Sequence, residues 1–189
     1  MIRDSGMPDR QAWESFFDPA DILRRLRFQP GAGDVVDLGC GYGTFSIAAA
    51  QLTGATVHAL DIDPLMIETT IGRARSLGLS NVRAIERNVV TEGTGLADAC
   101  VAFAMLFNVL HAENPTVLLQ EAFRILRPRG LLGIIHWVHE ASTPRGPDLS
   151  IRPRPEQCRD WARQVGFVSE EPPISLPPHH YGLVLRKPG

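Results

Sequence analysis

Five short apolar runs recur along the first three quarters of this chain, and helix-spaced segments separate most of them. DVVDL (34–38), ATVHAL (55–60), NVRAIE (81–86), DACVAFAML (98–106) and LLGIIHWV (131–138) read as strands, with helices over 44–52, 64–77 and 115–127. Strands that are apolar almost throughout, rather than alternating, must be covered on both faces. That requirement predicts a parallel sheet with helices on each side, a doubly wound α/β fold. Upstream, residues 9–28 place Trp13, Phe16, Phe17, Ile22, Leu23 and Leu26 at helical spacing, and Asp18-Pro19 divides them into two short helices. Downstream, 141–156 carries four prolines and reads as a loop. A helix over about 155–165 and strands near 167–171 and 181–186 complete the pattern.

The length of 189 residues suits one domain with a full core. We divide it into a helical cap (1–30), a binding core (31–138) and a substrate loop with C-terminal strands (139–189). A net charge of −2 gives no bulk attraction to nucleic acid or anionic membrane, so neither is an expected partner. The start, MIRDSGMPDRQ, lacks the apolar stretch of a signal peptide, and the longest apolar runs are too short to span a bilayer. Three widely spaced cysteines fit a reducing compartment. A cytoplasmic location is the expectation.

In VVDLGCGYGT the first strand runs straight into Gly39, Gly41 and Gly43. In an open parallel sheet ligands sit beyond the carboxyl ends of the strands, so this turn is the natural place for one. A dinucleotide would use the helix N-terminus for its pyrophosphate, whereas an adenosine ligand without phosphates needs only close backbone approach. Thr44 stands where a dinucleotide site prefers a small residue. A tight turn with no ligand is the remaining alternative. At the end of the second strand, Asp61 lies eighteen residues past Gly43, at the position from which a carboxylate accepts from ribose hydroxyls. Asp63, followed by Pro64, reads instead as a helix N-cap.

VVDLGCGYG, ALDID and FNVLHAENPTVLLQEAFRILRPRGLLGIIHW together resemble the class I S-adenosylmethionine-dependent methyltransferases, most closely those acting on small molecules. The resemblance covers residues 33–138, and YGLVLRK is similar to the family's last strand. It implies a Rossmann-like three-layer sandwich whose mostly parallel, seven-stranded sheet ends in an antiparallel strand. It further implies S-adenosylmethionine as cofactor, with Asp37, Gly39 and Gly41 around the methionine end and Cys40 between them. Asp61 would hold the ribose and Ile62 would lie against the adenine. Asn88 stands where many relatives carry an aspartate directed at the adenine amino group, with Val89 beside it, and Phe107 approaches the cofactor after the fourth strand.

Because the cofactor brings its own reactive methyl, the protein's task reduces to alignment and, for some acceptors, a base. His136, at the end of the fifth strand, is the candidate general base, and His111 reads as a histidine tying a loop to the sheet rim. Trp137 points to the opposite face from His136 and is a candidate for the acceptor side, with core packing as its alternative. Arg152 and Arg154 lie in the loop where acceptors are often recognised, which suggests an anionic acceptor; a stiffened surface loop with solvated arginines is the competing reading. His136, His139, Cys158 and the His179-His180 pair, read as an exposed loop, do not have persuasive metal-site spacing, and no metal is expected. An NAD-dependent oxidoreductase and a non-catalytic S-adenosylmethionine-binding module are the alternatives to a methyltransferase. The acceptor pocket must come from residues 9–28, from 138–154 or from a partner subunit, and a homodimer is one way to supply the last.

Overall fold

In the computed structural model, residue 6 and residues 8–140, 142–168 and 171–189 are described. Two short helices, α1 (Arg10–Ser15) and α2 (Pro19–Arg25), precede β1 (Val35–Leu38). The chain then alternates through α3 (Thr44–Leu52), β2 (Val57–Asp61), α4 (Pro64–Ser76), β3 (Val82–Glu86), α5 (Val89–Glu92), β4 (Val101–Phe107), α6 (Pro115–Ile125) and β5 (Leu126–Trp137). A single 3₁₀ turn (Leu149–Ile151), α7 (Pro155–Val165), β6 (Ile174–Leu176) and β7 (His180–Arg186) follow. The helices begin where side chains can satisfy free amides. Asp9, Asp18, Asp63 and Asn88 each accept a main-chain N–H at the start of α1, α2, α4 and α5.

One seven-stranded sheet runs in the order β3-β2-β1-β4-β5-β7-β6. Strands β1 to β5 pair in parallel, and β7 runs antiparallel to both β5 and β6. This is the sandwich that the resemblance implies. Chain order reverses between β1 and β4, so their carboxyl ends splay apart and open a crevice there.

The near-continuous apolarity of β4 follows from burial on both faces. Ala104 and Leu106 pack with Leu118, Leu119 and Ala122 of α6 and Ala162 of α7. Phe103, Met105 and Phe107 pack oppositely with Ile22 and Leu23 of α2 and Phe45 and Ala49 of α3.

Four local expectations change. Strand β5 begins at Leu126 rather than 131, because Leu126 already pairs with Val101 before the register shifts. Residues 89–92 form α5, too short to show a helical period. The strand expected near 167–171 is reduced to a bridge between Val168 and Arg186, with 169 and 170 outside the described residues, and β6 lies later, at 174–176. Of the pair His179-His180, His179 lies half-buried in the turn between β6 and β7, whereas His180 opens β7 at 2% exposure, among Trp13, Phe17 and Trp137. Lys187, the chain's one lysine, donates to the carbonyls of Phe123 and Leu126 and so closes the end of α6.

Candidate active site

The glycine turn is shaped by its neighbours. Gly39 has φ +80°, and a Cβ there would stand 2.6 Å from Cγ1 of Val109. Gly43 has φ +71°, and its Cβ would meet Oγ1 of Thr70 at 2.5 Å. Both positions are closed to L side chains by backbone conformation and by packing together. The turn is then fastened to β2: the Gly41 amide donates to Oδ2 of Asp61 at 2.8 Å, and the Asp63 amide donates to Oδ1 at 3.0 Å. Burial raises the Asp61 carboxyl above its ordinary value, opposed by these amides. As each carboxylate oxygen has two lone pairs, Asp61 retains capacity for further donors.

A cavity of about 430 Å³ opens against this turn, at the lower end of the range of roughly 300–1,000 Å³ for small-molecule sites. Gly39, Cys40, Gly41, Asp61, Ile62, Asn88, Val89 and Phe107 all line it, as the sequence suggested. Ile62 is half exposed, an apolar surface available to a flat ring. Asn88 spends its Oδ1 on the Val90 amide at 3.2 Å, capping α5.

Asp37 takes another place. It does not line the cavity; it lies beneath the turn at 2% exposure and accepts from Oγ of Ser46 at 2.6 Å. Burial, with a smaller contribution from the Asp61 charge, lifts its carboxyl to about 7. Cys40 is no nucleophile, since burial pushes its thiol up.

The acceptor-side expectations are redistributed. Trp137 lines the cavity, while its neighbour His136 points to the other face and is fully buried, out of reach of any ligand there. Burial and the adjacent His111 ring, 5.6 Å away between centroids, hold His136 well below its ordinary pKa, so it is neutral. His111, read as a loop tie, is buried at 2% exposure and also contributes the imidazole in the cavity wall. Arg152 is 6% exposed, and its guanidinium donates to the carbonyls of Val138, Glu140, Arg145 and Pro147 and to Oγ1 of Thr143. With its fork occupied by the loop, it cannot also grip an anion. Arg154 is exposed at the start of α7 and does not line the cavity. Among the described residues, no group of three or more His, Cys, Asp or Glu is placed to hold a metal ion.

Sequence reasoning missed Tyr42, Met66, Arg87 and Asn108 in the lining, and it marked residues 9–28 as a source of the acceptor pocket without singling out Trp13, the side chain that supplies it. Trp13 arrives on α1, which is held over the glycine turn. Arg73 of α4 donates to the Tyr42 carbonyl at 2.6 Å and pairs with Glu14 at 2.8 Å, while the Tyr42 hydroxyl donates to the Pro8 carbonyl. The only available signal was the aromatic spacing of residues 13–17, which reads equally as core.

A crevice at the switch point, a glycine turn and an acid at the end of β2 define a nucleoside-binding α/β protein of Rossmann-like build. Comparisons with known proteins make this specific. Residues 31–171 match the family described as "Methyltransferase domain", and the chain belongs to that family, the class I S-adenosylmethionine-dependent methyltransferases. The fold is similar to that of a SAM dependent methyltransferase from Aquifex aeolicus, with a TM-score of 0.82 at 22% identity over 94% of this chain and 93% of that one. A putative type 11 methyltransferase from Sulfolobus solfataricus matches with a TM-score of 0.68 at 25% identity, covering 89% of this chain and 90% of that one. In sequence, the chain is 42% identical over 137 residues to a ribosomal protein L11 methyltransferase of Methylococcus capsulatus, covering 70% of this chain and 44% of that protein. A probable cobalt-precorrin-6B C(15)-methyltransferase of Pyrobaculum aerophilum is 41% identical over 97 residues, 50% of this chain and 44% of that protein. The chain thus spans less than half the length of these two relatives.

The residues present fit S-adenosylmethionine. Asp61 has spare acceptor capacity for ribose hydroxyls, Ile62 gives an apolar face for adenine, and no helix-end phosphate cradle is required.

Proposed function

We propose that this protein moves a methyl group from S-adenosylmethionine to a small-molecule acceptor, mainly by holding the two in line. The observation that carries the reading is the single cavity that joins the glycine turn and Asp61 to a wall of Trp13, Phe107 and Trp137, roofed by the chain's own α1. The bound cofactor supplies an electrophilic methyl on a sulfonium, so the chain needs no nucleophile of its own. Asp61, the Gly39–Gly41 turn, Ile62 and Asn88 hold the nucleoside end. The aromatic wall excludes water and orients the acceptor, an arrangement in which proximity contributes on the order of 7–11 kcal/mol in favourable cases. A proton shed within the cavity meets His111, the one imidazole among the described lining residues.

A protein acceptor is a second reading, favoured by the relative named for ribosomal protein L11. The covering helix and the modest cavity favour a small molecule. Two measurements test the proposal. S-adenosylhomocysteine at a hundred times its dissociation constant stabilises by about 2.7 kcal/mol and raises the melting temperature, whereas NAD leaves it unchanged. The reverse result would reassign the protein to the oxidoreductases. Labelled methyl from S-adenosylmethionine appears in a small-molecule extract; label confined to protein favours the second reading, and none in either marks a binding module without catalysis.

A further inference from the structure

A second concavity lies at the opposite end of the sheet from the crevice, where the amino ends of β1, β4 and β5 meet the end of β7. Its volume is about 250 Å³, and Arg27, Arg127, Arg129 and Arg186 all line it, over a floor that includes Phe28 and Phe103. The four arginines are exposed and arrive from three separate stretches of chain. Arg127 rests over bare main chain, since a Cβ on Gly33 would stand 3.6 Å from its Nη1. The backbones at Arg129 and Arg186 are held side by side: the Arg129 amide donates to the Lys187 carbonyl and the Lys187 amide to that of Gly130, each at 3.0 Å. Among the described residues, Glu171 pairs with Arg27, whereas Arg127, Arg129 and Arg186 have no carboxylate partner. Asp34, next to Gly33, is turned to the Thr56 amide and to His58.

The backbone at two of these arginines points the same way. Arg27 follows the end of α2 at φ +61°, its amide donating to the Arg24 carbonyl and that of Phe28 to the Leu23 carbonyl. This is the helix ending at which glycine is favoured, because an L side chain in the left-handed region meets a steric cost. Arg129 stands at φ +65° in the stretch where β5 shifts register against β4. Two left-handed positions that favour glycine thus carry arginine, and both side chains line the same cleft. Guanidinium forks match phosphate oxygens in bidentate pairs. The volume falls below the roughly 300–1,000 Å³ of sites that enclose a whole ligand and suits a pair of phosphates rather than a nucleic-acid strand. We propose that this arginine cleft binds a small molecule through two adjacent phosphate groups, at a site separate from the catalytic cavity. The site does not depend on the methyltransferase reading.

Inorganic diphosphate, free of divalent metal, tests this when titrated calorimetrically into the full chain with and without S-adenosylhomocysteine. One diphosphate binds per chain, more tightly than orthophosphate or citrate, and S-adenosylhomocysteine leaves its affinity unchanged. Arg129→Gly weakens diphosphate about tenfold, the loss of a charge-assisted pair, without lowering the urea midpoint, because glycine accepts the left-handed backbone. A merely structural role for Arg129 would not separate binding from folding in this way. Arg127→Lys keeps the charge but loses the fork, and it weakens diphosphate as well. Citrate binding as tightly as diphosphate overturns the proposal, and so does an oligouridylate doing so, which would make the cleft a nucleic-acid surface. Competition by S-adenosylhomocysteine overturns it by placing the anion in the catalytic cavity. Unchanged affinity in both variants, or no binding by calorimetry and thermal shift up to millimolar diphosphate, overturns it too.

Discussion

Asp37 and Asp61 come from adjacent strands of one sheet and illustrate how burial divides two chemically identical groups. Asp61 reaches the cavity and is steadied by two main-chain amides, whereas Asp37 is walled in with the hydroxyl and the main-chain N–H of Ser46. Asp61→Ala lowers affinity for S-adenosylhomocysteine by about tenfold or more, the loss of charge-assisted hydrogen bonds to a ribose, measurable by calorimetry. For Asp37 the consequence is in stability. Its carboxyl titrates at about 7 when folded against 3.8 as the ordinary value, so the folded protein holds a proton that the unfolded chain has released. The stabilisation is therefore complete below pH 3.8 and is lost as pH rises through about 7. Melting temperatures of the parent and Asp37→Asn, followed from about pH 5 to about pH 8, move apart in favour of the variant as the parent carboxyl ionises. Gly43→Ala is destabilised by at least about 1–2 kcal/mol for its left-handed backbone alone, read in urea.

Between elements, the decisive contact is the fastening of α1 over the glycine turn. Arg73 reaches from α4 to both the Tyr42 carbonyl and Glu14, so a single side chain ties the cap, the turn and a sheet-covering helix together. Arg73→Ala frees α1, and S-adenosylhomocysteine then dissociates faster in stopped flow while its association changes little. A similar device organises the loop after β5. The Arg152 guanidinium gathers carbonyls from residues 138, 140, 145 and 147 and lies 5.8 Å from the Trp137 ring. Its sequence neighbourhood, rich in prolines and arginines, resembled an anion-binding loop because sequence shows which donors exist but not which carbonyls claim them. The same limit affected His136 and His111. Alternation along β5 correctly put His136 and Trp137 on opposite faces, yet which face met the cavity depended on how α1 and α6 covered the sheet.

Across the whole molecule, cap, sheet and C-terminal hairpin share buried side chains: Leu26 and Ile22 pack with Phe103, Ile135 and Val184 in one cluster. We take the chain as one cooperative unit on this ground. Unfolding in urea followed by far-ultraviolet circular dichroism and by fluorescence of Trp13, Trp137 and Trp161 gives a single coincident midpoint. Separate midpoints would mark the cap as independent.

The parallel core, the glycine turn and the acid at the end of β2 were legible in the sequence by itself, because each follows from a local rule: apolar runs need two covered faces, and a positive φ needs glycine. Those rules operate over a few neighbouring residues. The direction in which Asp37, His136 and Arg152 point, the latch that carries Trp13 to the cavity and the arginine cleft at the amino ends of the strands were decided only in the tertiary structure. Each depends on which group of another element, such as Ser46, His111 or the loop carbonyls, occupies the adjoining space, and sequence separation does not encode that proximity.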